Sequence, residues 1–422
     1  MQTVIGGLSL LFVAGYVLIA LEHFLRVNKS ASALLTGVFC WGLLFLVFPQ
    51  HRQELMGELS AHLADIAGIV FFVLCAMAIV QIIQVHRGFL FVARWLSRYQ
   101  RASLIGVVVL LTFLLSAVID NLTTALVMVA LLRGLIPEQA QLRKLVAGLI
   151  VIAANAGGAW SPIGDVTTTM LWIGGHIHAG AIVRELFLPA FVSAMVPLLV
   201  LLPWLRFELP ALAPSFLAPE PYAGLVFSLG IAGLLSVPVF HTVTGLPPVF
   251  GAFLAVGVLW SVTELLHRRS PDHSHLRVHV ALQRVDVSTV LFFVGILLAV
   301  DALQTGHVLA HVAQWLDQLL PRREMAVTFL GLISAVVDNV PLTAACMKMY
   351  SAYPPDHWLW FLLAYAVGTG GSILVIGSAA GVAVMNIERL EFFWYLGRIA
   401  PIALLGYGAG IACFLALQAL GW

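Results

Sequence analysis

Ser116–Asn121 reads SAVIDN, and Ser334–Asn339 in the other half of the chain reads SAVVDN. Both copies lie inside strongly apolar sequence. A carboxylate at bilayer depth costs several kcal/mol unless it is protonated, paired or holding a cation, so Asp120 and Asp338 at matched positions mark a site. Each motif separates two apolar arms that are too short to cross a bilayer, which needs about 20 residues of helix. That pattern is a re-entrant hairpin, at 104–133 in the first half and 326–350 in the second.

The surrounding composition sets the class. Of 422 residues, 61% are hydrophobic and only 10% are charged, and the mean hydropathy is +1.02. A water-soluble core cannot hide that much apolar surface, so the chain reads as an all-α polytopic membrane protein. The net charge of +1 gives nucleic-acid binding no support. Cys40, Cys75, Cys346 and Cys413 sit in apolar stretches without metal or redox spacing and read as small hydrophobes. The run Val4–Leu21 lacks a basic leader and a cleavage site, so it reads as a retained span.

Each half follows the same order. In the first (1–205), spans near 4–25, 32–48 and 64–86 precede a basic, aromatic interfacial stretch at 87–101, the hairpin, a broken helix at 145–173 and a final span at 186–203. In the second (223–422), spans near 223–240, 247–266 and 287–303 precede an interfacial segment at 304–325, the hairpin, a broken helix at 358–385 and a final span at 399–420. AlaGlyGly at 156–158 aligns with ThrGlyGly at 369–371, and IleGly at 163–164 with IleGly at 376–377. Five crossings per half make the repeats antiparallel. Inverted repeats with interrupted segments at corresponding positions point to a transporter whose site is near the midplane.

The Lys and Arg distribution orients the chain. With both termini outside, sixteen of the 21 fall on cytoplasmic segments, as the positive-inside rule requires. The Pro-rich stretch 206–222 then links the halves in the cytoplasm. The loop 267–286, with His267, His273 and His275, reads as a solvated cytoplasmic loop in preference to a metal site.

A small hard cation wants oxygen ligands. Asp120 and Asp338 supply charge, and Asn121, Asn339, Ser116, Ser334, Thr123 and Thr124 supply neutral oxygens. The competing reading of each Asp-Asn pair is a helix cap, which is less economical for two matched tips. Asn155, Asp165, Thr167 and Thr168 add a third carboxylate and more oxygens from the first broken helix. Thr369, Ser372 and Ser378 stand at the second, which has no carboxylate opposite Asp165, so the site is asymmetric. Glu22, His23 and Asp65 read as interfacial, Asp301 as an even choice between proton transfer and a span end, and Lys348 as snorkelling outward, with the role of internal partner to a carboxylate as the alternative.

These motifs resemble those of the NhaD-type sodium/proton antiporters of the ion transporter superfamily, over most of the chain. The resemblance implies a scaffold and a transport domain, an elevator-like movement, and a homodimer in the bacterial inner membrane. It also implies export of Na+ or Li+ driven by H+ entry, with no cofactor and no enzymatic activity. Its functional residues carry over to Ser116, Asp120, Asn121, Asn155, Asp165, Thr167, Thr168, Ser334, Asp338 and Asn339. Two alternatives stand beside it. Dicarboxylate and arsenite transporters of the same superfamily are expected to present neutral hairpin tips. An intramembrane aspartyl protease also needs two carboxylates, but IleGlyAsp at 163–165 is only a fragment of its motif.

Overall fold

The computed structural model describes residues 2–97, 99, 101–137, 139–204, 220–268, 271–320 and 322–421, which form helices and turns with no strand among them. The first half contains α1 (Gln2–Ala20), α2 (Glu22–Leu25), α3 (Lys29–Val47), α4 (Arg52–Val85), α5 (Leu90–Leu96), α6 (Arg101–Ser116), α7 (Asn121–Leu135), α8 (Ala140–Gly158), α9 (Val166–Ile173) and α10 (Ala179–Leu201). The second contains α11 (Ala223–Thr244), α12 (Pro248–His267), α13 (Val278–Leu282), α14 (Val287–Thr305), α15 (Val308–Leu319), α16 (Arg323–Ile333), α17 (Asn339–Met349), α18 (Trp358–Gly370), α19 (Ala379–Glu388), α20 (Phe392–Arg398) and α21 (Ala400–Ala419).

Eight helices are long and apolar enough to cross a membrane: α3, α4, α8, α10, α11, α12, α14 and α21. Their outer faces present large apolar side chains, such as Val243 of α11 at 79% exposure, and the shorter α1 does the same with Leu10 at 71%. Lipid is the solvent that such a surface fits, and the chain is a multi-pass membrane protein.

Membrane helices associate through small residues that let backbones approach. A Cβ on Gly37 of α3 would lie 2.7 Å from the Gly295 carbonyl oxygen of α14. Trp41 then donates its indole N–H to the Leu298 carbonyl at 3.0 Å, tying the same pair together. Side-chain caps begin both helices: Asn28 accepts from the Ser30 N–H, and Asp286 from the Thr289 N–H.

Between the hairpins and the broken helices the packing is crossed. Within each half the first hairpin arm packs on the broken helix, α6 on α8 and α16 on α18, whereas the second arm packs both on its own broken helix and across, α7 on α8 and α19 and α17 on α18 and α9. The aligned glycines are where each first arm meets its own broken helix. A Cβ on Gly157 would collide with the Phe113 carbonyl of α6, and one on Gly370 with the Gly331 carbonyl of α16. Phe113 and Gly331 each stand three residues before the serine of their SAVxDN motif, so the two halves share one register.

Several expectations need correction. The third span begins not near residue 64 but at Arg52, and its 34 residues make α4 about 50 Å long. The apolar ruler misses its polar first turns, whose Glu, Gln and Leu are good helix formers. Asp65 therefore lies inside a helix and not at its end. The loop 267–286 is not simply solvated. His267 is buried with its Nε2 3.1 Å from that of His86, and Leu276, Val278 and Ala281 are buried as well. The first broken helix is lopsided, because α8 runs 19 residues before the chain unwinds. Of the linker 206–222, residues 206–219 lie outside the described residues, as do Arg269 of the loop and the side chain of His273.

Candidate functional site

The two hairpin turns bring Asp120 and Asp338 to the starts of α7 and α17. Both aspartates cap those helices. Asp120 Oδ1 accepts from the Thr123 N–H at 2.9 Å, and Asp338 Oδ1 from the Val340 N–H at 3.2 Å. The cap reading is thus correct for both tips. It occupies one oxygen of each carboxylate in this way, and Oδ2 of Asp338 turns to the Lys29 ammonium at 3.5 Å. Helix N-termini carry positive partial charge, which helps to hold an ionised carboxylate in place.

Asp165 begins α9 from the unwound stretch after α8, and it behaves differently. Its side chain makes no cap hydrogen bond. Instead Asn121 Nδ2 donates to Oδ1 at 3.4 Å and Asn339 Nδ2 donates to Oδ2 at 3.1 Å. One amide arrives from each hairpin. Ser378, at the aligned position before α19, does cap its helix by accepting from the Gly381 N–H at 3.1 Å. The carboxylate at 165 serves the junction of the two tips, where it is 4% exposed.

Asn155 extends this junction. It accepts from Asn121 Nδ2 at 3.0 Å and donates to Ser378 Oγ at 3.1 Å, joining the first hairpin to the second broken helix. Asp120, Asn121, Asp165, Asp338, Asn339, Ser378, Thr289 and Lys29 line one cavity, walled on its apolar side by Phe72, Val73 and Phe293. Its volume of about 80 Å³ suits a hydrated small ion or a few waters. Among the described residues, no three His, Cys, Asp or Glu side chains converge as a tight metal cluster; the three carboxylates stand around the cavity.

The other predicted ligands sit behind the lining. Ser116 donates its hydroxyl to the Ala154 carbonyl at 2.5 Å and Ser334 to the Val367 carbonyl at 2.9 Å, each strapping a hairpin to its own broken helix. Thr123 supplies a backbone N–H to Asp120. Thr124 donates to the Ile119 carbonyl, Thr168 to that of Asp165 and Ser372 to that of Thr369. Thr167 is fully buried, two residues from Asp165.

Sequence reasoning missed Tyr16, Lys29 and Thr289. The Tyr16 hydroxyl accepts from the Asp338 N–H at 2.9 Å across 322 residues of chain, and Lys29 reads locally as one more cytoplasmic charge. Lys348 does not snorkel. Its ammonium is 3.3 Å from Asp301 Oδ1, which also lies 3.3 Å from His62 Nδ1. Asp301 is 5% exposed and paired between α4, α14 and α17, lining a second cavity with Asp65, His176 and Gln304.

Comparisons with known proteins agree with this geometry. A family model described as a citrate transporter, CitMHS, matches residues 16–368. Over 424 residues, 98% of this chain and 73% of the relative, the sequence is 44% identical to Sodium/proton antiporter 1 of Arabidopsis thaliana. It is 30% identical to the Na+/H+ antiporter NhaD of Alkalimonas amylolytica over 97% of this chain and 90% of the relative. The fold is similar to the crystal structure of the Alcanivorax borkumensis YdaH transporter, with a TM-score of 0.57 and 15% identity over 88% of this chain and 90% of that one. Matched hairpins meeting at a buried carboxylate, in a chain that aligns end to end with antiporters, leave one assignment: the protein is a membrane transporter and not an enzyme, and it belongs to the NhaD-type sodium/proton antiporters of the ion transporter superfamily.

Proposed function

We propose that this chain exchanges cytoplasmic Na+ or Li+ for external H+ by alternating access, with Asp120, Asp165 and Asp338 as the shared carboxylates of cation and proton. The observation that carries the proposal is Asp165, which receives an amide from each hairpin tip. A charge change there is felt by both halves. Asn121, Asn339, Asn155, Thr123, Thr167, Thr168, Ser116, Ser334 and Ser372 form the surrounding oxygen set, some as ligands and some as straps. The sodium/proton names of the relatives support the choice of ions.

The halves 1–205 and 223–422 are proposed as inverted repeats, with 206–222 as their cytoplasmic linker. The crossed packing of α7 on α19 and α17 on α9 supports a two-fold relation. Hairpins and broken helices would form the transport domain and the remaining spans the scaffold of an elevator, assembled as a homodimer in the inner membrane with both termini outside. The cavity reaches Lys29 and Thr289 in the first turns of α3 and α14, ends that the Lys and Arg bias assigns to the cytoplasm. This conformation would therefore face inward.

The family model's citrate description makes an anion the second reading. Three carboxylates against a single lysine in the lining disfavour it, because a tricarboxylate would be repelled at close range. Reconstituted protein should acidify or alkalinise proteoliposomes in response to a Na+ or Li+ gradient and not to a citrate gradient. Citrate uptake without Na+-dependent proton flux would reverse the assignment. Competition for shared carboxylates carries a kinetic signature. The apparent Km for Na+ should rise about tenfold per unit fall in pH if one proton competes, since each ligand disfavours the other at a common charge. The maximal rate at saturating Na+ should stay nearly constant. A constant Km with a collapsing rate would place the pH response elsewhere.

A further inference from the structure

Lys29 is the sole cationic side chain among the described residues lining the cavity, and it stands among three carboxylates. It belongs to the first turn of α3, while its partner Asp338 belongs to the tip of the second hairpin. Two contacts hold it there. Its ammonium lies 4.5 Å from the centre of the Phe292 ring, a cation–π placement that fixes the head group over α14. Its backbone N–H donates to Glu22 Oε1 at 3.2 Å, anchoring the start of the helix. The Lys29 side chain is 29% exposed, so it is partly open to solvent while it stands beside Asp338.

We infer that Lys29 is a tethered competitor for the transported cation: it occupies Asp338 when the site is empty and is displaced when Na+ binds. The inference rests on the antiport reading above. A monovalent cation arriving at Asp338 meets an oxygen already paired with an ammonium of the same charge, and the two cannot share it without repulsion. Displacement has a structural consequence. The Lys29 pair, together with the Tyr16 hydroxyl on the Asp338 N–H, ties the hairpin tip to α1 and α3. Loading the site removes one of these ties, so the tip is freed when its charge is satisfied by the substrate. A simple packing role predicts none of this, because the stem would serve equally well without the charge.

The test uses the purified full-length protein. The half-saturating Na+ concentration is measured both for thermal stabilisation in detergent and for exchange in proteoliposomes, at alkaline pH and constant ionic strength. Lys29→Gln and Lys29→Met should lower it about tenfold, the low end of what an opposite charge in contact exerts on a carboxylate. Lys29→Arg, which keeps the charge, should remain near the wild-type value. Equal half-saturation in wild type, Gln and Met variants overturns the inference. Wild-type protein provides a readout that needs no variant to fold. The sequence has three lysines, Lys29, Lys144 and Lys348. Brief acetylation followed by mass spectrometry should show Lys29 labelling rise when choline is replaced by Na+, with Lys348, paired to Asp301 in a separate cavity, unchanged. Na+ that stabilises the protein without altering Lys29 labelling overturns the inference and leaves antiport intact. If wild type shows neither Na+ stabilisation nor Na+-driven proton flux, the antiport reading fails and this proposal fails with it.

Discussion

At the residue scale, two acceptors at aligned positions do opposite things. Ser378 spends its oxygen on the first turn of α19, whereas Asp165 leaves the first turn of α9 uncapped and takes amides from Asn121 and Asn339. A cap is worth about 1 kcal/mol, so giving it up is informative only because the carboxylate gains two other donors. Asp165→Asn should keep the protein folded and reduce Na+-driven proton flux at least a hundredfold, as measured in proteoliposomes. Asp165→Ser, which supplies the capping group of the other half but withdraws the acceptor of both amides, should be inactive and no more stable than wild type, because two buried donors left unpaired outweigh a cap of about 1 kcal/mol. Activity in either variant would remove Asp165 from the centre of the site. Asp120→Asn and Asp338→Asn should also abolish exchange, yet keep their N-cap hydrogen bonds because an amide oxygen still accepts. The Asp-Asn pairs stand out in sequence because they recur, and a helix cap is their competing reading there; the turn geometry shows that both aspartates do cap.

At the element scale, the packing of hairpin on broken helix depends on the glycines. Gly157 on α8 and Gly370 on α18 bring a backbone against a carbonyl of α6 and α16, so a methyl group at either place must move a helix. Gly157→Ala and Gly370→Ala should each destabilise by about 1–3 kcal/mol or more, read as a lower melting temperature in detergent. Gly106 on α6 has no neighbour within 4 Å of its would-be Cβ, and Gly106→Ala should be neutral or slightly stabilising because Ala is the better helix former. The repeated AlaGlyGly and ThrGlyGly segments read in sequence as helix interruptions, but α8 runs to Gly158 and α18 to Gly370, and the chain unwinds only beyond them. Their main role, close approach, was not visible there, because the colliding carbonyl belongs to a different helix. A second element-scale contact joins α14, α4 and α17 through Asp301, His62 and Lys348. Removing one member of a buried ion pair costs about 3 kcal/mol, more than replacing both. Asp301→Asn should therefore destabilise more than the double change Asp301→Asn with Lys348→Met. The opposite order would show that the pair contributes little.

For the whole molecule, orientation and repeat symmetry make one joint prediction. If both termini are outside, the loop before α13 is cytoplasmic and α15 is external. Both Ser274 and Gln314 are exposed. Single cysteines placed there, in a variant lacking Cys40, Cys75, Cys346 and Cys413, should react with an impermeant thiol reagent from the cytoplasmic and the external side respectively. The reverse pattern would invert the topology and with it the direction in which the cavity faces. Reaction of both from one side would show that α14, which lies between them, does not cross, and would break the five crossings assigned to the second half.

The sequence by itself determined the class, the two hairpins, the interrupted helices and the three carboxylates. Those features are local or periodic: apolar length measures a bilayer, glycine marks a break, and a duplicated motif identifies itself. Only the tertiary structure decided that Asp165 is the meeting point, that Lys29 and Tyr16 reach the second hairpin tip, that Ser116 and Ser334 strap backbone, and that Lys348 turns inward to Asp301. It also decided the length of α4, whose polar turns the bilayer ruler cannot see. Each of these depends on partners tens to hundreds of residues away, up to the 322 between Tyr16 and Asp338. A side chain's chemistry is written in the chain, but the group that satisfies it at membrane depth is chosen by packing, where unpaired charge is too costly to leave alone.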